Sequence, residues 1–123
     1  MDRSRLFINF SNHPSCHWGD AQRIAAEKYG VICDLQFPVV DEQSSEDEVS
    51  HLAEKYVATI VSMGKPEEMT VHIMGEMTFT FMVVTRLKEM GIRCVASTTE
   101  RKTTYNADGT KLSEFSFVRF REY

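Results

Sequence analysis

The stretch Thr70-Val71-His72-Ile73-Met74-Gly75-Glu76-Met77-Thr78, which leads into an apolar run over residues 79–90, decides the fold class. The β-branched run over residues 70–74 predicts a buried strand, and the glycine-containing segment 75–78 predicts a turn. Residues 79–90 are apolar around much of a helical circumference, as in a buried helix. Gly91 ends that helix and residues 92–96 predict another strand, so the segment predicts a parallel βαβ unit.

The same alternation of strand and helix precedes this segment. Residues 5–10 predict a first strand that stops at the polar residues before Pro14. Asp20 is positioned to cap a helix that ends at Gly30, and residues 31–35 predict a second strand. The N-terminal half therefore predicts a further parallel pair of strands.

Two local motifs complete the architecture. Ser45-Glu46-Asp47-Glu48 is a capping box that predicts the start of a helix, which Gly64-Lys65-Pro66 ends. Asn106-Ala107-Asp108-Gly109 predicts a hairpin between residues 102–105 and 115–121. We therefore expect one α/β domain over residues 1–123, a small Rossmann-like three-layer sandwich with a four-stranded parallel core plus a C-terminal antiparallel hairpin. The side chains expected to be buried are Phe7 and those of residues 31–33, 71–73 and 94–96.

Composition limits the function. The chain has 123 residues and a net charge of -4, which argues against coating of long nucleic acid by charge alone. No stretch approaches a membrane span and the N-terminus does not resemble a signal peptide, so we expect a cytoplasmic protein without membrane partners. The three cysteines form no C-x-x-C pair and are expected to be reduced.

Three polar segments follow predicted strands, where an open parallel sheet binds its ligands. They are the loops over residues 11–17, 75–78 and 97–101, and two of them lead toward helix starts that favour anions. Their hydroxyls and amides indicate a ligand that carries phosphate. The chain has neither G-x-x-x-x-G-K-[ST] nor G-x-G-x-x-G, so no nucleoside triphosphate or dinucleotide motif is present.

These residues also have purely structural interpretations. Asn12 and His13 are consistent with turn chemistry, and Glu76 with a charge at a helix N-terminus. Cys16 and His17 lack a third orienting group, which argues against a cysteine hydrolase. A metal site seeded by His13, Cys16 and His17 lacks a fourth ligand. His72, Cys33 and Cys94 are interpreted as core residues, and Trp18 as either a packing residue or a face for a base.

Three segments together resemble a known group of proteins. They are Leu6-Phe7-Ile8-Asn9-Phe10-Ser11-Asn12-His13-Pro14, then Met74-Gly75-Glu76-Met77-Thr78-Phe79-Thr80-Phe81, then Val95-Ala96-Ser97-Thr98-Thr99-Glu100-Arg101 with the ending Phe117-Val118-Arg119-Phe120-Arg121-Glu122-Tyr123. In this order the segments resemble the small single-domain CRISPR-associated proteins regarded as ring nucleases. Those proteins are similar to CRISPR-associated Rossmann-fold (CARF) sensor domains.

The resemblance implies a homodimer that binds a cyclic oligoadenylate, a second messenger of type III CRISPR immunity, and cleaves it. Attack by a ribose 2′-hydroxyl needs neither a metal nor a cofactor, only positioning and charge stabilisation. The expected catalytic residues are His13, Glu76 and Arg101. The expected ligand-binding residues are Ser11, Asn12, Gly75, Thr78, Ser97, Thr98 and Thr99.

Two other functions remain open at this point. One is a module that senses or sequesters the nucleotide without cutting it, and the other is a nucleoside hydrolase or transferase with Glu76 as nucleophile. The expected dimer surface includes the Gly75 turn, the following helix or the C-terminal strand. This expectation rests on the apolar side chains of Phe79, Phe81, Met82, Phe115, Phe117 and Phe120.

Overall fold

The computed structural model describes residues 5–123, which form a five-stranded sheet with helices on both faces. The strand order is β2-β1-β3-β4-β5. Two single 3₁₀ turns, Ser15–His17 and Pro66–Glu68, lie in the connections. The elements in chain order are β1 (Leu6–Ser11), α1 (Asp20–Glu27), β2 (Val31–Gln36), α2 (Glu46–Val61), β3 (Met69–Met74), α3 (Met77–Glu89), β4 (Arg93–Tyr105) and β5 (Lys111–Glu122).

The sheet confirms the predicted α/β class and corrects the predicted strand count. β1 pairs in parallel with β2 and β3, and β3 pairs in parallel with β4. β5 is antiparallel to β4, with one shift of register at Val118, opposite Thr98 and Thr99. The expected hairpin is therefore not separate from a four-stranded core, because β4 is both the last parallel strand and the first arm of the hairpin. The core sheet has five strands.

The period-two alternation of β1 and β3 separates two apolar layers. Ile8 and Phe10 face α2 and α3, together with Val71 and Ile73 of β3. Phe7 faces the opposite side, where it packs with Ala26 of α1 and with Val95 and Phe120 of the last two strands. The result is three layers, with α1 on one face of the sheet and α2 and α3 on the other.

The helix starts follow from their caps. Ser45 accepts from the backbone N–H of Glu48 while the Glu48 carboxylate accepts from the backbone N–H of Ser45, so the predicted capping box is confirmed. α3 begins at Met77 rather than at residue 79, because the Glu76 side chain accepts from the N–H groups of Thr78 and Phe79. The predicted turn over residues 75–78 is therefore shorter.

The predicted buried residues are confirmed except at two places. Phe7, residues 71–73 and Val95 are buried, but Val31 is 42% exposed and Ile32 and Cys33 are only half-buried. β2 is an edge strand, which explains this error, since the helices on the two faces cover the side chains of an edge strand less fully than those of a central strand. Ala96 is half-buried, because it lies where β4 leaves β3.

The predicted loop over residues 97–101 is wrong, because these residues continue β4. β4 pairs with β3 only through Arg93, Cys94 and Val95, and beyond them it pairs with β5 alone. The two arms form a ribbon that extends about 20 Å past Thr99, at about 3.3 Å per residue. Residues 99–105 are exposed. The C-terminal edge of the sheet is therefore flanked by a projecting ribbon instead of a short loop.

Within residues 5–123, no helix combines the length and apolarity that crossing a membrane requires. All three cysteines are free thiols. Burial raises the pKa of the Cys94 thiol to about 12, so it is protonated at neutral pH.

Candidate functional site

A chain of polar side chains crosses the α1 face of the sheet near the carboxyl ends of the parallel strands. Asn9 of β1 lies beside Asp34 of β2 and beside His72 of β3 in the strand register. Asn9 Nδ2 donates to Asp34 Oδ1 at 2.8 Å, and Asn9 Oδ1 lies 2.9 Å from His72 Nδ1. His72 Nε2 lies 3.2 Å from Ser97 Oγ of β4. The chain therefore joins four neighbouring strands.

The hydrogen bonds of Asn9 determine the protonation of His72. Asn9 Nδ2 also donates to the backbone carbonyl of His13 at 2.8 Å, so both of its N–H groups are used. Asn9 Oδ1 already accepts from Ser11 Oγ at 2.8 Å and has no proton to give to His72. His72 must then donate from Nδ1, which leaves Nε2 of the neutral ring as an acceptor that faces Ser97.

Burial keeps the His72 ring neutral. The residue is 2% exposed, and its ring packs 5.9 Å from Trp18 and 5.3 Å from Phe120, centroid to centroid. Burial, together with a smaller effect of the His13 charge, lowers the pKa of His72 to about 4. At neutral pH the imidazole is therefore an uncharged proton acceptor.

Asp34 anchors the other end of this chain. Its carboxylate accepts from Ser15 Oγ at 2.8 Å and from the Ser15 backbone N–H at 3.1 Å. Desolvation alone would raise the pKa of Asp34, but the hydrogen bonds from Asn9 and Ser15 and the charge of Arg23 outweigh it and lower the pKa. Arg23 of α1 donates to the Ser15 carbonyl at 2.7 Å, which fixes the loop after β1 against the helix.

A cleft of about 620 Å³ opens over this polar chain, at the carboxyl ends of β1 and β3 and beside the middle of β4. Its wall contains three imidazoles, two aromatic rings, hydroxyls and amides. None of the described lining residues is an aspartate or a glutamate, although the chain has 18 acidic residues. The lining residues are Ser11, Asn12, His13, His17, Trp18, Gln22, His72, Met74, Gly75, Ser97, Thr99 and Phe115.

The cleft brings together six of the ten site residues that the sequence predicts. They come from the end of β1 and the loop after it, the turn after β3 and the middle of β4. They are Ser11, Asn12, His13, Gly75, Ser97 and Thr99. Ser97 and Thr99 are two positions apart on a strand, so their side chains share the face that lines the cleft.

Glu76 and Thr78 lie outside the cleft wall and form the cap of α3. Glu76 Oε2 accepts from the Phe79 N–H at 2.9 Å and Glu76 Oε1 from the Thr78 N–H at 2.8 Å, while Thr78 Oγ1 donates to Oε1 at 2.7 Å. These bonds lower the pKa of Glu76, with the Phe79 N–H as the largest cause. The carboxylate is occupied by the helix, which favours the structural interpretation of this residue.

Thr98 and Arg101 also lie outside the cleft wall. Thr98 is on the opposite face of β4 from Ser97 and Thr99, and Arg101 lies farther along the ribbon. Thr98 Oγ1 donates to the Arg119 carbonyl at 3.2 Å. Arg101 is exposed, donates to Ser113 Oγ at 3.2 Å and lies 5.9 Å from the centre of the Phe115 ring. Its guanidinium is held on the ribbon, next to the aromatic ring that forms one edge of the cleft.

Sequence reasoning assigned His72 to the core and missed five residues of the site. They are Asn9, Gln22, Asp34, Met74 and Phe115. His72 is indeed buried, but its ring edge reaches the cleft. A signal was present, because Asn9 and Ser11 alternate with Ile8 and Phe10 along β1. Polar residues on one face of a central strand require partners, and these come from the neighbouring strands.

The cysteine and metal-site interpretations find no matching arrangement of side chains within residues 5–123. Cys16 is exposed and does not line the cleft, whereas its neighbour His17 does. Among residues 5–123, no three His, Cys, Asp or Glu side chains are arranged to hold a metal ion.

Two comparisons bear on the relationships of the chain. None of the curated proteins compared with it matches. The family model described as the uncharacterized protein MJ1673 family matches residues 5–121, which include all of the sheet except its last residue and all residues of the cleft. The chain belongs to the MJ1673 family.

Proposed function

We propose that this protein binds a cyclic oligoadenylate between two copies of the chain and cleaves it without a metal ion. The observation that carries the proposal is the wall of the cleft, which has no carboxylate among its described residues in a protein of net charge -4. A wall of hydroxyls, amides and imidazoles is suited to the oxygens of phosphodiesters, since it offers donors without repelling negative charge.

The aromatic rings of the cleft support a nucleotide as the ligand. Trp18 and Phe115 line the cleft together with the amides of Asn12 and Gln22. Unpaired bases bind proteins by stacking on aromatic rings and by hydrogen bonds to their edges. Trp18 is only half-buried, so part of its indole remains available to a base.

The size of the cleft supports a site that two copies share. A volume of about 620 Å³ lies within the range of about 300–1,000 Å³ that accommodates one drug-sized ligand. A ring of four nucleotides is larger than that, and a two-fold dimer would offer two clefts to a ring with two-fold symmetry. Phe81 and Phe115 are about 70% exposed and lie near the cleft, which suits them to a contact between copies.

The proposed reaction is transesterification. The ribose 2′-oxygen bonds to the adjacent phosphorus, the bond from phosphorus to the 5′-oxygen breaks, and the product ends in a 2′,3′-cyclic phosphate. A base accepts the 2′-hydroxyl proton and an acid returns a proton to the 5′-oxygen. His13 is the proposed acid or base, Ser11, Asn12 and Thr99 would hold the nucleotide, and Arg101 would stabilise charge on the phosphate from the ribbon.

One assay tests this proposal directly. The protein is incubated with cyclic tetra-adenylate, with and without EDTA, and the products are resolved by mass. Linear products with cyclic phosphate termini in both samples support the proposal. Free adenine would instead indicate the nucleoside hydrolase or transferase, and cleavage that EDTA abolishes would contradict the metal-independent mechanism.

A sensor that binds the ring without cutting it is the second candidate. It is favoured by the positions of Glu76 and Arg101, since the first caps α3 and the second is held at Ser113. In the same assay a sensor would bind cyclic tetra-adenylate tightly and return it intact. The cytoplasmic location stays an expectation of either function, because the messenger is made inside the cell.

A further inference from the structure

Ser97 connects the cleft to the buried chain of polar side chains. It lines the cleft wall, and its hydroxyl lies 3.2 Å from His72 Nε2. His72 Nδ1 in turn lies 2.9 Å from Asn9 Oδ1, and Asn9 Nδ2 donates to Asp34. The order is hydroxyl, imidazole, amide and carboxylate, with each group in hydrogen-bonding distance of the next.

We infer that Ser97 is an activated hydroxyl of this cleft, with His72 as its proton acceptor and Asn9 as the residue that orients His72. The order hydroxyl, base and orienting group is the arrangement that activates weak nucleophiles in enzymes. Asn9 performs the orienting part because its amide oxygen has no proton to give, so it can only accept a hydrogen bond from His72 Nδ1.

The Ser97 proton has two possible acceptors in the structure. Met74 Sδ lies 2.9 Å from Ser97 Oγ, and His72 Nε2 lies 3.2 Å from it. A thioether sulfur is a weak acceptor, whereas a neutral imidazole nitrogen is a strong one. The backbone N–H of Ser97 also donates to Met74 Sδ, at 3.3 Å, so the sulfur already has a donor. The hydroxyl proton is therefore directed to His72.

The surroundings of His72 keep its ring uncharged, so that Nε2 can accept a hydrogen bond from Ser97. The titratable groups near it are His13 and His17 of the cleft wall, and Asp34 through Asn9. Burial and the His13 charge hold the pKa of His72 near about 4, so the ring is uncharged from neutral pH down to mildly acidic pH.

The chemistry can be written for a phosphonyl fluoride. Ser97 Oγ bonds to phosphorus, the P–F bond breaks, fluoride leaves with its electron pair, and the hydroxyl proton moves to His72 Nε2. For a cyclic oligoadenylate, a role that rests on the proposed function, Ser97 takes the 2′-hydroxyl proton while its own proton moves to His72. The 2′-oxygen is then the attacking group and Ser97 stays unmodified.

The experiment treats the full chain with a fluorophosphonate probe and locates the adduct by peptide mass spectrometry. We expect an adduct at Ser97, none in Ser97→Ala, and an unchanged adduct in the matched control Ser116→Ala, which removes an exposed hydroxyl of the ribbon. The adduct should form at least tenfold more slowly in His72→Gln. A wild-type protein that is unlabelled, or labelled equally in His72→Gln, overturns the inference.

A second measurement does not depend on a variant that folds. In ¹⁵N-labelled wild-type protein, NMR of the imidazole nitrogens should report a proton on Nδ1 and none on Nε2 of His72 at neutral pH. The labelling rate should stay level as the pH falls through 6.5 and decline only near about 4. A proton on Nε2, or a decline at 6.5, contradicts the inference.

The two proposals fail separately. If Ser97 is labelled and cyclic tetra-adenylate is not cleaved, the activated hydroxyl stands and the proposed function does not. If the ring is cleaved by wild type and equally fast by Ser97→Ala, the proposed function stands and Ser97 has no part in it.

Discussion

The side chain of Asn9 makes more hydrogen bonds than that of any other residue of the described site. Its amide touches groups from β1, β2 and β3 and from the loop after β1, and it is 1% exposed. A buried amide with all of its hydrogen bonds made stabilises one arrangement of its partners, because any other arrangement leaves polar groups unpaired. Asn9 therefore couples the stability of the sheet to the geometry of the cleft.

Replacing Asn9 tests that coupling. Asn9→Ala leaves the His72 Nδ1 proton without its acceptor and removes a donor from Asp34, so we expect a loss of about 2–4 kcal/mol in the free energy of unfolding. Urea denaturation followed by circular dichroism measures it. Asn12→Ala, at an exposed position of the same cleft, is the control and should change the free energy by less than about 0.5 kcal/mol. Equal losses in both variants would contradict the role of Asn9.

The protonation of His72 should make stability depend on pH. Its pKa is about 4 in the folded protein and 6.5 without burial, so the unfolded chain binds the proton first as the pH falls. The contribution is complete above about pH 6.5 and is lost between 6.5 and 4, amounting to about 2 kcal/mol by pH 5. Urea denaturation at pH 7 and pH 5 measures it. The difference should shrink in His72→Gln and persist in His51→Gln, which changes an exposed histidine of α2.

A substitution at Glu76 distinguishes a helix cap from a catalytic acid or base. Glu76→Gln keeps only one of the two oxygens that accept from α3 and loses the charge at its N-terminus, so the protein should lose about 0.5–2 kcal/mol of stability. Its rate of cyclic tetra-adenylate cleavage should equal that of the parent protein. Single-turnover kinetics measures the rate. A fall in the cleavage rate of about 10²-fold or more would indicate that Glu76 acts as an acid or a base.

At the scale of elements, the sequence predicted those whose signals are local. The capping box at Ser45 and Glu48, and the hairpin turn ending at Gly109, each require only neighbouring residues. The sequence predicted that the strand ends before Ser97, because hydroxyls and charges after a parallel strand usually indicate a loop. The β-branched Thr98, Thr99, Thr103 and Thr104 favour a strand, and their pairing with β5 depends on residues up to about 20 positions away.

The turn between β3 and α3 depends on a close approach at Gly75. A Cβ atom at this position would overlap the ring of Phe37, which packs against Phe10 and Phe79. Gly75→Ala should therefore cost about 1–3 kcal/mol of stability. Gly64→Ala is the control, since a Cβ there meets its nearest atom at an ordinary 3.4 Å.

The double variant assigns the cause of that cost. Phe37→Leu shortens the side chain that faces Gly75, so the added cost of Gly75→Ala should be smaller in that background than in the wild type. Urea denaturation of the four proteins of the cycle gives the coupling energy. Additive costs would mean that the Phe37 ring is not the obstacle.

At the scale of the whole molecule, the sequence predicted the α/β class and six residues of the cleft, because the edge rule for parallel sheets needs only the order of strands. It did not predict which β4 side chains share the cleft face. It also overestimated the exposed apolar surface, since Phe79 and Phe120 are buried in the single chain. Of the residues predicted to form the dimer surface, Phe81 and Phe115 are exposed in the single chain.

Those two rings give a test of the expected homodimer. Phe81→Lys and Phe115→Lys place charges on the expected contact, so each should shift a dimer at micromolar concentration toward monomer by at least tenfold in the dissociation constant. Sedimentation velocity measures it. Val39→Lys is the control, because Val39 is 95% exposed and lies outside that surface. A wild-type protein that sediments as a monomer both alone and with cyclic tetra-adenylate would contradict the shared site.

The order of strands in the sheet also bears on how the chain folds as it is synthesised. β1 is made first yet lies between β2 and β3, and the apolar layer beneath α1 needs Phe120 of β5 beside Phe7 of β1. Contacts of such long sequence separation form late and slowly, because a long loop must close before they contribute. While the ribosome is still adding β5, Phe7 and Val95 lack the part of their cover that Phe120 supplies, so the nascent protein presents an incomplete apolar face that a chaperone can recognise.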